Sequence, residues 1–297
     1  MSESLNALND KYGIPGVVSF SSGPGGLTVA EISAVQADAK VTLHGAHVLS
    51  FIPKGGRDIL WLSGKSWYEP GNPIRGGIPV CWPWFGAAAW DAELPSHGFA
   101  RITEWAVVET GKMDNGGAFI ILQLTDCECT RKLWDYAFKT QLKVEVSSEL
   151  RVSLIIENTG DKEFCFSAAL HSYFAVSNVA AITVSGLDGT RYIDTLVNEV
   201  KTQSGLITFA AEYDNVFLDT DTTCVIDDPG FDRKISVAKE GSRSTVVWNP
   251  WIAKAARMPD YGDDEYPGML CIETANAKDD ARAVKPGETH TLTTIIS

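Results

Sequence analysis

A chain of 297 residues, 44% hydrophobic and 21% charged, carries enough apolar material for a sizeable core and too little charge to be disordered. Its formal net charge of −13 argues against nucleic acid and an anionic membrane surface as main partners, because both require a basic patch. A small anionic ligand stays open, since a local pair of arginines can outweigh a distant acidic surface.

Residues 1–12 read as a short helix or an ordered tail, and from Val17 onward the pattern is one of short strands. Residues 27–32 and 40–51 are rich in β-branched and apolar side chains, and Asp58-Ile59-Leu60-Trp61 follows a Gly-Gly turn. Next comes Ile74-Arg75-Gly76-Gly77-Ile78-Pro79-Val80-Cys81-Trp82-Pro83-Trp84-Phe85-Gly86, which continues through Trp90 to Leu94-Pro95-Ser96-His97-Gly98-Phe99-Ala100-Arg101. Pro79 and Pro83 deny it the hydrogen bonds of a central strand. Three tryptophans and two phenylalanines are too many for a solvated loop, so the stretch is expected to be irregular yet packed, as site-lining segments often are.

Strands follow at residues 103–109, at 118–124 after Gly116-Gly117, and at 137–146 and 149–157 as a hairpin around Ser147-Ser148. Residues 163–170 form another, and short strands recur to residue 296. The one helical candidate in this half is 251–258, stopped by Pro259. Many short strands with turn signals between them predict an all-β protein, an antiparallel sandwich or barrel. No linker, charge run or repeat divides the chain, so a single domain over 1–297 is expected, with 1–16 as an N-terminal extension. No apolar run is long enough for a membrane helix, and Met1–Asp10 lacks a signal peptide's basic start and apolar run. The six cysteines include no Cys-x-x-Cys pair and mostly sit in strand-like runs. They read as buried free thiols of a reducing compartment, which places the protein in the cytoplasm.

Chemistry-bearing residues are few enough to weigh singly. His44 and His47, three apart on one supposed strand, would point to opposite faces and make a poor metal pair. His290 reads as structural, and His97 divides evenly between a site residue and a structural hydrogen-bonder. His171 ends the apolar strand Phe164-Cys165-Phe166-Ser167-Ala168-Ala169-Leu170, where an imidazole suits acid–base work, although a satisfied core histidine is the commoner outcome. Glu273 closes Met269-Leu270-Cys271-Ile272. A carboxylate there is costly to bury unless it is functional or ion-paired, and the spacing leaves the two readings level. Phosphate-loop, dinucleotide-binding and Gly-x-Ser-x-Gly motifs are absent, and the run Asp263-Asp264-Glu265 reads as a solvated turn.

Arg75-Gly76-Gly77-Ile78-Pro79, Ser96-His97-Gly98-Phe99-Ala100-Arg101, Leu170-His171-Ser172-Tyr173-Phe174, Val247-Trp248-Asn249-Pro250-Trp251 and Cys271-Ile272-Glu273-Thr274-Ala275-Asn276 occur in that order. Together they resemble the glucose-6-phosphate 1-epimerases, or hexose-6-phosphate mutarotases, a branch of the aldose 1-epimerase (galactose mutarotase-like) superfamily. The resemblance runs from about the first strand to the last. It implies a large antiparallel β-sandwich with a sugar cleft on one sheet, His171 and Glu273 as catalytic acid and base, and Arg75 and Arg101 as phosphate ligands. It further implies Asp214 as a substrate-binding aspartate, and Ser96 stands where some relatives have glutamine; on the chemistry of ring opening, His97 is expected to assist at the ring oxygen or a hydroxyl. Acid–base ring opening of this kind needs no metal or cofactor. The expected partner is a small sugar phosphate, with neither nucleic acid nor membrane, and the expected state is a monomer.

Overall fold

Burial alternates residue by residue along Ala118–Thr125 and Phe138–Val146, as it must in a sheet with one face on a core and the other toward solvent. In the computed structural model, which describes residues 3–297, these strands belong to an eight-stranded antiparallel sheet. Its order is Thr183–Ser185, Cys224–Asp228, Arg233–Glu240, Thr289–Ile296, Leu150–Asn158, Phe138–Val146, Ala118–Thr125 and Ala106–Lys112. A second sheet runs Glu199–Thr202, Arg191–Asp194, Tyr213–Phe217, Ser244–Asn249, Met269–Asn276, Ala168–Leu170 and Val80–Cys81, with Tyr173–Ala175 also on Met269–Asn276. The two share one apolar core, to which Leu270 and Ile272 of the second sheet contribute beside Ile120, Leu142 and Leu154 of the first. The result is the large antiparallel β-sandwich that the sequence predicts. A four-stranded meander, Val18–Ser22 to His47–Pro53, adds to the same core, and helix α1 (Leu5–Tyr12) docks on it through Leu8 and the Asn9 side chain.

Ser244–Asn249 and Met269–Asn276 are buried on both faces. Their second face is roofed by irregular chain, and that roof positions the site. Residues 74–101 supply much of it: Ser167 N–H donates to the Pro83 carbonyl, and His171 N–H to that of Pro79. Prolines thus stand where a carbonyl is used and no N–H is needed.

Several local expectations are corrected. The strand expected over 40–51 is two strands, Ala37–Thr42 and His47–Pro53, reversed at Gly45 with φ 72°. His44 and His47 therefore flank a turn and do not share a strand. Their Nε2 atoms bond the carbonyls of Asn72 and Gly76, 2.8 and 2.7 Å away. Residues 163–170 break into Phe164–Phe166 and Ala168–Leu170, which pair with different partners. The strand expected at 103–109 is Ala106–Lys112, because Thr103 and Trp105 are spent closing the loop on Gly45 and Leu43. Helix α2 (Glu128–Leu133) was not anticipated, and α3 ends at Ala255, earlier than Pro259 requires. Cys81, Cys224 and Cys271 are buried as expected. Cys127, Cys129 and Cys165 are exposed, the first two beside and within α2 and the third on the outward pleat of its strand.

Candidate active site

Strand register assembles the centre of the site. Leu170 lies opposite Thr274 and Tyr173 opposite Cys271, so continuing the antiparallel count sets His171 opposite Glu273. Side chains directly across an antiparallel pair share a face, and here His171 Nε2 lies 3.3 Å from Glu273 Oε1. Pleating sends Leu270 and Ile272 into the main core and leaves Glu273 on the roofed face. The same register continues outward: Val246 opposes Glu273, and Trp248 opposes both Cys271 and Asp214. Asp214, Trp248, Val246, His171 and Glu273 accordingly line one cavity of about 510 Å³.

Both central groups are buried, and each keeps one polar atom without a hydrogen-bond partner among the described residues, His171 Nδ1 and Glu273 Oε2. Burial drives the Glu273 carboxyl well above the usual carboxylate range, with the Asp214 charge adding to it and Arg101 opposing it. Burial likewise drives His171 well below the usual imidazole range, helped by His97 and the two arginines. Burial thus favours the neutral form of each. The pair still holds one proton that can move over 3.3 Å to give carboxylate and imidazolium, so it titrates as a couple. The His171 ring stacks on Tyr173 at 4.6 Å and 8°, and Trp248 meets both edge-on.

His97, Ser96 and Arg101 reach the cavity from the end of the irregular stretch. His97 sits at φ 64°, its N–H donates to the Gly86 carbonyl, and its Nδ1 accepts from Gly86 N at 3.3 Å. Burial pushes its imidazole down to about 3, so at neutral pH it is an uncharged hydrogen-bonder beside Phe85 and His171. Gly98 follows at φ 75°, where a Cβ would stand 2.0 Å from the Trp82 carbonyl oxygen. The expected result of Gly98→Ala is a fold weakened by at least about 1–3 kcal/mol, with His97 and Arg101 displaced together. A urea midpoint lowered alongside the activity checks it.

The two arginines differ. Arg101 is buried, donates from Nη2 to the Ser96 carbonyl at 2.8 Å, leaves Nε without a partner and has no carboxylate partner among the described residues. Arg75 is already engaged: its guanidinium grips Asp260 from Nε at 3.1 Å and Nη2 at 3.0 Å, and Nη1 donates to the Tyr173 hydroxyl at 3.0 Å. Sequence reasoning missed Asp260 and Tyr173 in this role, and also Lys254. The Lys254 Nζ stands 3.3 Å from Asp214 and 3.2 Å from Glu212.

Ligand atoms of His171, Cys271 and Glu273 lie within 4.8 Å of one another, a donor set suited to a soft divalent ion. The thiol is, however, held well above its ordinary pKa by burial and by Glu273, and it packs among Met269, Tyr173 and Trp248 without lining the cavity. Ligation would require deprotonating it in apolar surroundings.

The aldose 1-epimerase family profile matches residues 29–297. The chain belongs to the aldose 1-epimerase family. Among its relatives is a Salmonella typhimurium protein described as "Putative glucose-6-phosphate 1-epimerase", 40% identical over 256 residues and covering 84% of each chain. An Escherichia coli protein of the same description is 38% identical over 258 residues, covering 86% of this chain and 85% of its own. Among solved structures, a S. typhimurium protein described as "a putative mutarotase (YeaD)" superposes with a TM-score of 0.89 at 34% identity, covering 96% of this chain and 94% of that one. HI1317, at 23% identity and a TM-score of 0.79, shares the fold.

Proposed function

We propose that this epimerase-family protein interconverts the α and β anomers of hexose 6-phosphates, glucose 6-phosphate foremost. The observation that carries the reading is the cross-strand pair His171–Glu273, buried, 3.3 Å apart and partly unpartnered in a sugar-sized cavity. In ring opening, Glu273 takes the proton of the C1 hydroxyl, the C1–O5 bond breaks, and His171 gives its proton to O5. The C1 oxygen becomes the carbonyl of a free aldehyde. Rotation about C1–C2 presents the other carbonyl face, and closing reverses both transfers. O1 and O5 share one carbon, so an acid and a base a few ångströms apart can serve both without the sugar moving.

The catalytic protonation state is carboxylate and imidazolium, the tautomer that burial disfavours. Arg101 opposes the rise at Glu273, and an incoming phosphate dianion adds attraction for the imidazolium. In this reading His97 donates to the ring oxygen or a hydroxyl, and Ser96 and Asp214, which also line the cavity, meet the remaining hydroxyls. The names carried by the S. typhimurium and E. coli relatives support a phosphorylated substrate. So does Arg101, a buried guanidinium with an unpartnered N–H.

A second reading, a mutarotase for free aldoses, draws on Arg75 being neutralised by Asp260. Magnetisation-exchange NMR between anomers, with and without protein, separates the two. Acceleration for glucose 6-phosphate well above that for glucose is expected. Equal acceleration would favour free aldoses, and no rate above buffer would leave a sugar-phosphate-binding protein without catalysis.

A further inference from the structure

Lys254 reaches the cavity by an unusual route. Ser244–Asn249 runs out of the sheet into Pro250, and the chain turns back over the cavity as α3 (Trp251–Ala255). Trp251, a bulky residue, takes φ 53°, a conformation that side chains of its size rarely adopt. The turn is held by Asn249, whose Oδ1 accepts the Trp251 N–H at 2.9 Å while its Nδ2 donates to the carbonyls of Tyr266 and Met269. Trp251 also packs on Tyr266. Strain maintained in this way places Lys254 Nζ over the Trp248 ring at 5.7 Å, between Asp214 at 3.3 Å and Glu212 at 3.2 Å.

We propose that Lys254 is a positioning residue: it fixes the Asp214 carboxylate on the cavity wall and offsets its charge across the sheet from Glu273. For its catalytic half this rests on the mutarotase reading above. Asp214 and Glu273 project from the same face of strands separated by one other and lie two residues out of register, a backbone span of about 12 Å. At that distance an uncompensated charge is still felt by a fully buried carboxyl. Glu273 faces His171 and Tyr173 across the strand pair, Cys271 along its own strand, Cys81 from the neighbouring edge, and Arg75, His97 and Arg101 from the roof. Of its surroundings, Asp214 is the group whose charge raises the carboxyl, and among the described residues Lys254 is the cation in contact with Asp214.

The sign follows. Lys254→Met leaves Asp214 unopposed, Glu273 ionises less readily, and the acidic limb of kcat/KM moves to higher pH by about half to one unit. Asp214→Asn moves that limb to lower pH. The double variant returns it toward wild type, because the two charges cancel. Lys254→Arg, which keeps the charge, restores both limb and rate. A merely structural lysine would alter stability or KM and leave the limb where it was. The same titration is read without turnover from the 13C shift of the Glu273 carboxyl in glutamate-labelled protein, assigned with Glu273→Gln. An unmoved carboxyl titration in Lys254→Met overturns the inference whether or not the enzyme turns over. A titration moved in Lys254→Met, together with a wild type that fails to anomerise sugar phosphates, would uphold the charge coupling and sink the mutarotase reading.

Discussion

Glu273→Gln should cut anomerisation of hexose 6-phosphates by about 10²- to 10⁴-fold, the usual worth of a positioned base, with little change in KM. The amide keeps the shape of the carboxyl and its place opposite His171 but cannot accept the proton of the C1 hydroxyl. The same change should make the protein harder to unfold at alkaline pH. Glu273 has a folded-state pKa raised by burial, so its contribution to stability is intact below the ordinary glutamate value. That contribution is lost as pH rises toward the folded value, because the unfolded chain has by then released a proton that the folded one retains. A glutamine amide in its place has no such proton to release. The gain in melting temperature of Glu273→Gln over wild type should therefore grow from acid to pH 8. A variant that is both inactive and more stable marks a group kept for chemistry at a cost to the fold. Equal melting curves at all pH values, or unchanged turnover, would remove Glu273 from the mechanism.

The fold class was legible because short β-rich runs punctuated by Gly and Pro leave little choice but antiparallel sheets. The heart of the site was legible in part. A carboxylate closing an apolar strand and an imidazole ending another each violate the pattern around them, and such violations gather where function is. That the two face each other follows from register, Leu170 on Thr274 and Tyr173 on Cys271, which is fixed by pairing about a hundred residues apart and leaves no local trace. Asp260 was invisible for the same reason. In Met258-Pro259-Asp260-Tyr261 it reads as a turn residue, and only the folded chain brings it to Arg75, 185 positions away. Lys254 left one signal: Asn249-Pro250-Trp251 ends a strand with a proline yet puts a large aromatic where a small turn residue would be easier. His44 and His47 were misplaced because Gly45 between them is a reversal, and a run of β-branched residues on both sides hid it.

Arg101 and Arg75 should respond differently to removal. Arg101→Ala is expected to lower kcat/KM for glucose 6-phosphate by about 10- to 100-fold, the worth of one or two charge-assisted hydrogen bonds, while the rate on glucose changes by only a few-fold. Among the described residues the Arg101 guanidinium makes one hydrogen bond, to the Ser96 carbonyl, and its loss strands no carboxylate there. Arg75→Ala, by contrast, leaves Asp260 buried and unpaired and takes the donor from the Tyr173 hydroxyl, against which His171 is stacked. Breaking a buried pair from one side costs about 3–5 kcal/mol. Arg75→Ala should therefore unfold at a markedly lower urea concentration and lose activity on both substrates, whereas Arg75→Ala with Asp260→Ala should recover part of the stability and none of the phosphate preference. Comparing kcat/KM on the two sugars with the urea midpoints decides the matter. If Arg101→Ala hurts glucose and glucose 6-phosphate alike, the phosphate is not held at Arg101. If Arg75→Ala is as stable as wild type and selectively loses the phosphorylated substrate, Arg75 releases Asp260 when the phosphate arrives, and the ion pair is the resting state of a second phosphate ligand.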